Sequence, residues 1–434
     1  MEQERTRRSG GRKIMGGCSA LIAGIVIILL VRLMIGSRPP HVEIPYPAMP
    51  SPNAFDAYRS AGKQMLDDRK IGDAVSSKPT VTYTRADKAK FVSENAPALQ
   101  TLRQGFASDY RNPPARSFTT LFPYYAQFRS LARLLKLEGQ LKAEKGDWSG
   151  AVASDLDAVR MGEEIPRGSV LIGDLVGIAC QAIGRKDIWA AIDHLDAAQA
   201  RKAAAQLEAI NARHVPFADA LLEEKWCGQA GLQEIFQQKN GLQQMLASAT
   251  NPQGTPTGAS AVDWTQLLWM LYSKERIMTD YSQYMDKLIA TDRQPYSAHL
   301  SDPPVPNDPI CQILFPVFTQ ARFKDASDEA ENHLLQVALA LRAYRVERGA
   351  YPTSLNELAP GYLSKMPNDP FDSNGAFRYK RQGEKYLLYS VGPDGIDDGG
   401  KPVDDPSKAS ANSPNARYNV AVESKGDIVA GVNP

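Results

Sequence analysis

Residues 313–349 read ILFPVFTQARFKDASDEAENHLLQVALALRAYRVERG. Ala330, Leu334, Val337, Ala338, Leu341 and Tyr344 recur there at helical spacing, with charge on the other side, so the stretch predicts one long amphipathic helix. Gly349 supplies a C-cap. Beyond it, AYPTSLNEL predicts a further short helix. FRYK (377–380) and KYLLYSV (385–391) predict two short strands around the turn RQGE. The glycine- and aspartate-rich run VGPDGIDDGGKPVDD follows at 391–405. A long helix followed by a small antiparallel sheet is an α+β arrangement.

Four pieces occur in a fixed order: ALRAYRVERGAYP at 340–352, MPNDPF at 366–371, YLLYSVGPDGIDDGG at 386–400 and GDIV at 426–429. Together they resemble the globular head of the G-type major pseudopilins of type II secretion, and FPVFTQAR at 315–322 is similar to the start of a pilin-type helix. The resemblance implies a calcium-binding loop. By match to the family pattern the ligands would be Asp394, Asp397 and Asp427, with Ser390 or backbone carbonyls nearby and Asp398 as an alternative to Asp397. The local chemistry agrees, because Asp394, Asp397, Asp398, Asp404 and Asp405 crowd a flexible segment and calcium takes six to eight oxygens, several of them anionic. A solvated acidic loop without metal is the competing reading.

The departures from that family are as informative. Its members carry an apolar helix at the mature N-terminus, continuous with the head. Here the apolar segment ends at Gly36, far upstream of Phe315, has no leader-type site, and a proline-rich stretch precedes FPVFTQAR. A long insert, including SKASANSPNA, separates the acidic loop from GDIV. The head therefore reads as a borrowed module, and assembly into a pilus core is not implied.

Working outward to the other end, residues 14–36 form an apolar run interrupted only by Arg32, long enough to cross a bilayer as a single transmembrane helix. Arg5, Arg7, Arg8, Arg12 and Lys13 precede it, which places the 1–13 tail in the cytoplasm and the bulk of the chain outside the cytoplasmic (inner) membrane of a bacterium. Gly16, Ala20 and Gly24 form a small-xxx-small pattern that would let two such helices pack as a homo-oligomer. Residues 37–53, SRPPHVEIPYPAMPSPN, read as an extended stalk.

Residues 54–290 predict a mainly α-helical central domain, 291–309 a proline-rich linker, and 310–434 the pseudopilin-like C-terminal α+β module. Within the central domain, 128–164 is the clearest pattern, two antiparallel helices broken at Gly146-Asp147. It resembles one tetratricopeptide unit, with Gly139 as the small residue of the first helix and Trp148, Ala151 and Ala158 at packing positions of the second. One unit does not make a solenoid. Further helices are expected within 170–210, 221–246 and 263–289. The adjacent pairs Glu163-Glu164 and Glu223-Glu224 read as solvated faces.

Lys+Arg (50) and Asp+Glu (49) nearly cancel, which gives nucleic acid no field to follow. Four cysteines and five histidines are scattered without metal spacing, although a Cys180–Cys227 disulfide is open outside the cytosol. No nucleophile elbow, P-loop, HExxH or dinucleotide fingerprint occurs, so no catalytic residue is assigned. The sequence thus predicts a non-catalytic, membrane-anchored envelope protein with the lipid bilayer and other envelope or secretion-system proteins as partners. A genuine type II secretion or pseudopilus component is the alternative, and an enzyme in the helical domain is the third reading.

Overall fold

The computed structural model describes residues 40–238, 241, 273–296, 302–307, 311, 318–372, 374–409 and 414–433. The expected transmembrane helix at 14–36 lies outside them. Among the described residues no helix is long and apolar enough to cross a membrane.

The fold is α+β. Helices α1 (Ala54–Gln64), α2 (Asp68–Ala74), α3 (Arg85–Glu94) and α4 (Ala96–Gly105) precede the predicted hairpin of α5 (Tyr124–Ala143) and α6 (Trp148–Glu164). Then come α7 (Leu171–Ala191), α8 (Ala197–Asn211), α9 (Phe217–Gln237), α10 (Lys274–Asp292) and the long α11 (Phe318–Arg348). Strands β1 (Arg378–Gln382), β2 (Lys385–Ser390) and β3 (Ile428–Val429) form one antiparallel sheet in that order.

Local signals explain the boundaries. Thr84 with Asp87 caps α3, and Asp196 with Gln199 caps α8, each as a capping box. Asp147 accepts from the Gly150 N–H and starts α6, immediately after Gly146 turns the chain at φ +80°. Ala151 and Ala158 are buried as expected, and a Cβ on Gly139 would lie 2.9 Å from Asp155 Oδ1 and 3.2 Å from Ala151 O. Trp148 stacks on His194 at 3.8 Å.

Two compact units divide the chain, one made of Met1–Ile44, Gly228–Tyr284 and Pro304–Pro316, the other of Pro45–Cys227, Met285–Pro303 and Val317–Pro434. In the first, Leu232, Phe236, Ile277, Met278 and Tyr281 are buried, and Gln229 donates to Ser282 Oγ at 2.9 Å.

The second unit holds both the helical hairpin and the C-terminal module. Its core runs from Val152, Leu156 and Val159 of α6, through Ile188 of α7 and Leu207 of α8, into Leu334, Val337, Ala338 and Leu341 of α11 and on to Leu388 and Ile428 of the sheet. The stripe read from α11 is thus its buried face, and that face is covered by α7 and α8. The 291–309 stretch does not separate two cores.

The tightest crossing is between α6 and α7. A Cβ on Gly177 would fall 2.6 Å from Gly162 O and 2.9 Å from Pro166 Cδ, both rigid. Gly177→Ala is expected to cost about 1–3 kcal/mol by overpacking, read as a lowered thermal midpoint. An unchanged midpoint would mean that α6 and α7 sit further apart.

One sequence expectation is corrected. Glu163, Glu164 and Glu223 are buried, not solvated. Each is answered by a cation: Glu163 by His214, Glu164 by Arg160 and Arg213, Glu223 by Arg111 and Arg116. Glu224 accepts from the Leu171 N–H at 3.0 Å. Cys180 and Cys227, whose pairing the sequence leaves open, are free and buried. The expected short helix after Gly349 is a 3-10 helix, Leu355–Leu358, capped by Ser354 and Glu357.

Candidate functional site

The head is assembled on the β1–β2 hairpin, in which Gln382 pairs with Lys385 around Gly383-Glu384. β3 comes from the GDIV piece: Ile428 pairs with Ser390 and Val429 with Tyr389. Two residues of strand give almost no periodic signal, so the sequence did not mark it. The 391–403 loop is closed against β3 by backbone bonds, Asp427 N to Lys401 O at 2.8 Å and Val403 N to Asp427 O at 3.0 Å. Asn433 clamps the same place, donating to Val403 O and Tyr418 O at 2.9 Å each. At Gly392, φ is +73° and a Cβ would sit 2.5 Å from Gly426 O, so only glycine fits.

The five expected ligands do not all meet. Ser390 is fully buried and donates to Asp369 Oδ1 at 2.8 Å, away from the loop carboxylates. Asp394 is half-buried and accepts from the Ile396 N–H in its own turn. Asp397 receives the Tyr389 hydroxyl at 2.9 Å, the Gly399 N–H at 2.9 Å and Arg378 Nε at 3.0 Å. Those bonds, the Gly399 N–H foremost, hold its carboxyl below the usual range. Asp427 is buried and accepts from the Gly400 N–H at 2.7 Å and the Asp398 N–H at 3.3 Å. Burial raises its carboxyl, and the neighbouring charges of Asp397 and Asp398 add to that. Asp397, Asp398 and Asp427 are therefore neighbours, whereas Ser390 and Asp394 stand apart. Among the described residues no group of three or more acid, imidazole or thiol side chains is placed to hold a metal ion.

Two residues of the head were not singled out by sequence. Asp369, in MPNDPF, accepts from Ser390 Oγ and from the Val391 N–H at 3.1 Å, so it ties the irregular segment to the end of β2. Burial pushes its carboxyl up to about 6. Arg378 bridges Asp372 at 2.9 Å and Asp397 at 3.0 Å.

A second polar cluster lies where α11 packs on α7, with Glu163 of α6 and His214 beside it. Arg185 is buried against Asp328 at 2.9 Å, Asn332 Oδ1 at 2.7 Å and Glu331. Asn332 in turn donates to Gln181 at 2.5 Å. His214 meets Glu163 at 3.0 Å and Asp325 at 3.9 Å. Asp174 is buried nearby, and its Oδ2 has no hydrogen-bond partner. Burial opposes the charge on His214, but the Glu163 bond and the surrounding carboxylates outweigh it and bring the imidazole up to about 10. Sequence gave no warning, because these residues lie at unrelated spacings on separate elements. The buried thiols Cys180 and Cys227 are pushed up to about 12 and about 11, mainly by desolvation, which leaves them protonated at neutral pH.

Residues 318–405 match the family model of type II secretion system (T2SS), protein G. The match begins with α11 and ends in the acidic loop, so it covers the first three of the four sequence pieces and stops short of β3. No curated protein and no solved structure matches the chain.

Proposed function

We propose that the protein is a non-catalytic, membrane-anchored component of the bacterial envelope whose pseudopilin-like head is fixed to a helical scaffold and presents its sheet and acidic loop to secretion-system partners. The observation that carries this reading is the burial of the apolar face of α11 on α7 and α8. A head helix whose apolar stripe is spent within its own chain has none left for a neighbouring subunit along that stripe. The basic flank before residues 14–36 supports an anchor with the bulk of the chain outside the cytoplasmic membrane.

Fractionation of cells into membranes and sheared surface filaments tests it. The chain is expected in the membrane fraction, cross-linking there to secretion-system proteins. Stoichiometric recovery in filaments would defeat the scaffold reading and favour a true pseudopilus subunit.

Calcium at the acidic loop is a second element of the proposal, supported by Asp427. That carboxylate is buried beside two others with only backbone N–H donors, an excess of negative charge that a divalent cation would relieve. Engagement of calcium requires Asp397 to give up Arg378. The full chain is expected to melt higher in calcium than in chelator, by about 2.7 kcal/mol at 100 times the dissociation constant. Asp427→Asn should abolish the shift. Equal melting in both buffers would leave the loop a surface feature closed by Arg378.

A further inference from the structure

Large apolar side chains are not spread evenly over the surface. Of the ten that are exposed among the described residues, five gather in one region: Tyr46, Met49, Phe118, Leu121 and Ile172. The backbone explains how they meet. The 45–53 segment runs antiparallel to 111–116, with Asn53 bonded to the Arg111 N–H and carbonyl at one end, and Arg116 Nη2 donating to Pro45 O at 2.9 Å at the other. Met49 lies between those ties, and the Tyr46 ring sits 5.4 Å from the Arg116 guanidinium. The loop then carries Phe118 and Leu121, the latter 83% exposed. Phe122, one residue on, packs on Ala115, Val170 and Cys227, which places Ile172 at the border of the same small cluster.

We propose that this patch is a second membrane contact, in which Phe118 and Leu121 enter the lipid interface and fix the orientation of the extracytoplasmic unit. The inference rests on the reading of 14–36 as a transmembrane helix. Chain length selects lipid as the occupant. Eight residues, 37–44, separate Gly36 from Pro45, a span of nine residue steps. At the polyproline II rise of about 3.1 Å per residue they reach roughly 28 Å at full extension, so the patch is tethered within that distance of the bilayer surface. Its make-up fits the interface: aromatic and aliphatic side chains are exposed, while the nearby arginines Arg111 and Arg116 share Glu223 at 2.7 and 3.0 Å, which leaves a net positive charge beside the patch.

Photo-crosslinking tests it on the full chain in phosphatidylethanolamine–phosphatidylglycerol vesicles with labelled acyl chains. The photoreactive residue p-benzoylphenylalanine replaces Leu121 in one sample and the exposed Leu66 in another. Lipid adducts several-fold more abundant at 121 than at 66 are expected, in protein that resists an alkaline carbonate wash. Equal labelling in wash-resistant protein would overturn the patch and leave the anchor standing. Adducts from 121 to a second protein chain instead of lipid would overturn it in favour of a docking site. Release by the wash would overturn anchor and patch together. Both positions are exposed, so an unchanged thermal midpoint verifies that each substituted protein is folded.

Discussion

Arg185→Met is expected to destabilise the protein by about 3–5 kcal/mol, the range for breaking a buried ion pair by removing one partner. The side chain is 5% exposed and is shared among Asp328, Glu331 and Asn332, all on α11. Methionine fills much of the same volume, so the loss measures charge and hydrogen bonding more than packing. Buried Asp328 and half-buried Glu331 would be left without their cation, and desolvation with the neighbouring carboxylates already holds Asp328 at about 7 against the pull of Arg185. The measurement is the thermal midpoint of the full chain, with Arg185→Met/Asp328→Asn beside it. If uncompensated charge is the cause, the double variant recovers part of the loss, because one orphaned carboxylate is gone. A midpoint unchanged by Arg185→Met would show that apolar contacts alone dock α11. A double variant worse than the single would assign the loss to packing and hydrogen bonds.

That prediction could not have been written from the sequence, and the reason is physical. Periodicity reports which face of one helix is apolar, and it did so well for α5, α6 and α11, whose stripes are the faces that the structure buries. It says nothing about which helix covers that face. The proline-rich stretch at 291–309 therefore read as a domain boundary, although the α11 stripe closes a core begun by Val152 and Leu156. Charge was the other blind spot. Glu163 and Glu164 point in different directions from one helix, which sequence reads as solvent exposure. In the folded chain each direction meets a cation from a distant segment, His214 for one and Arg160 with Arg213 for the other. In the head, short motifs located the hairpin and the loop. The partners of Ser390 and Asp397 depended on Asp369 and Arg378, whose roles appear only when the strands are in register.

The largest pH effect is expected from the same buried layer. Asp174 and Asp328 each stand at about 7 in the folded chain, chiefly through desolvation, with His214 and Arg185 respectively pulling the other way. Unfolded, such carboxyls ionise near 3.9. Between those values the folded state keeps protons that the unfolded state releases, so stability falls as pH rises from about 4 to about 7. A shift of about three units corresponds to about 4 kcal/mol for one group. His214 acts in the same direction. Its folded value of about 10 exceeds the unfolded 6.5, so its contribution is fully present below 6.5 and is lost as pH climbs through 10. The groups facing this layer are Glu163 on α6, Asp174 and Arg185 on α7, Asp292 on α10, and Arg322, Asp325, Asp328, Glu329, Glu331 and His333 on α11. Carboxylates outnumber cations, and the folded chain meets that excess by holding protons. Thermal midpoints of the full chain should therefore decline from pH 5 to pH 9. Asp174→Asn cannot ionise, so it should flatten the slope and leave the variant more stable than the parent at pH 8.5, while the two converge near pH 4. A parent midpoint that rises from pH 6 to pH 8.5, or a variant with the parent's slope, would mean that water or a bound cation, not protons, neutralises the layer.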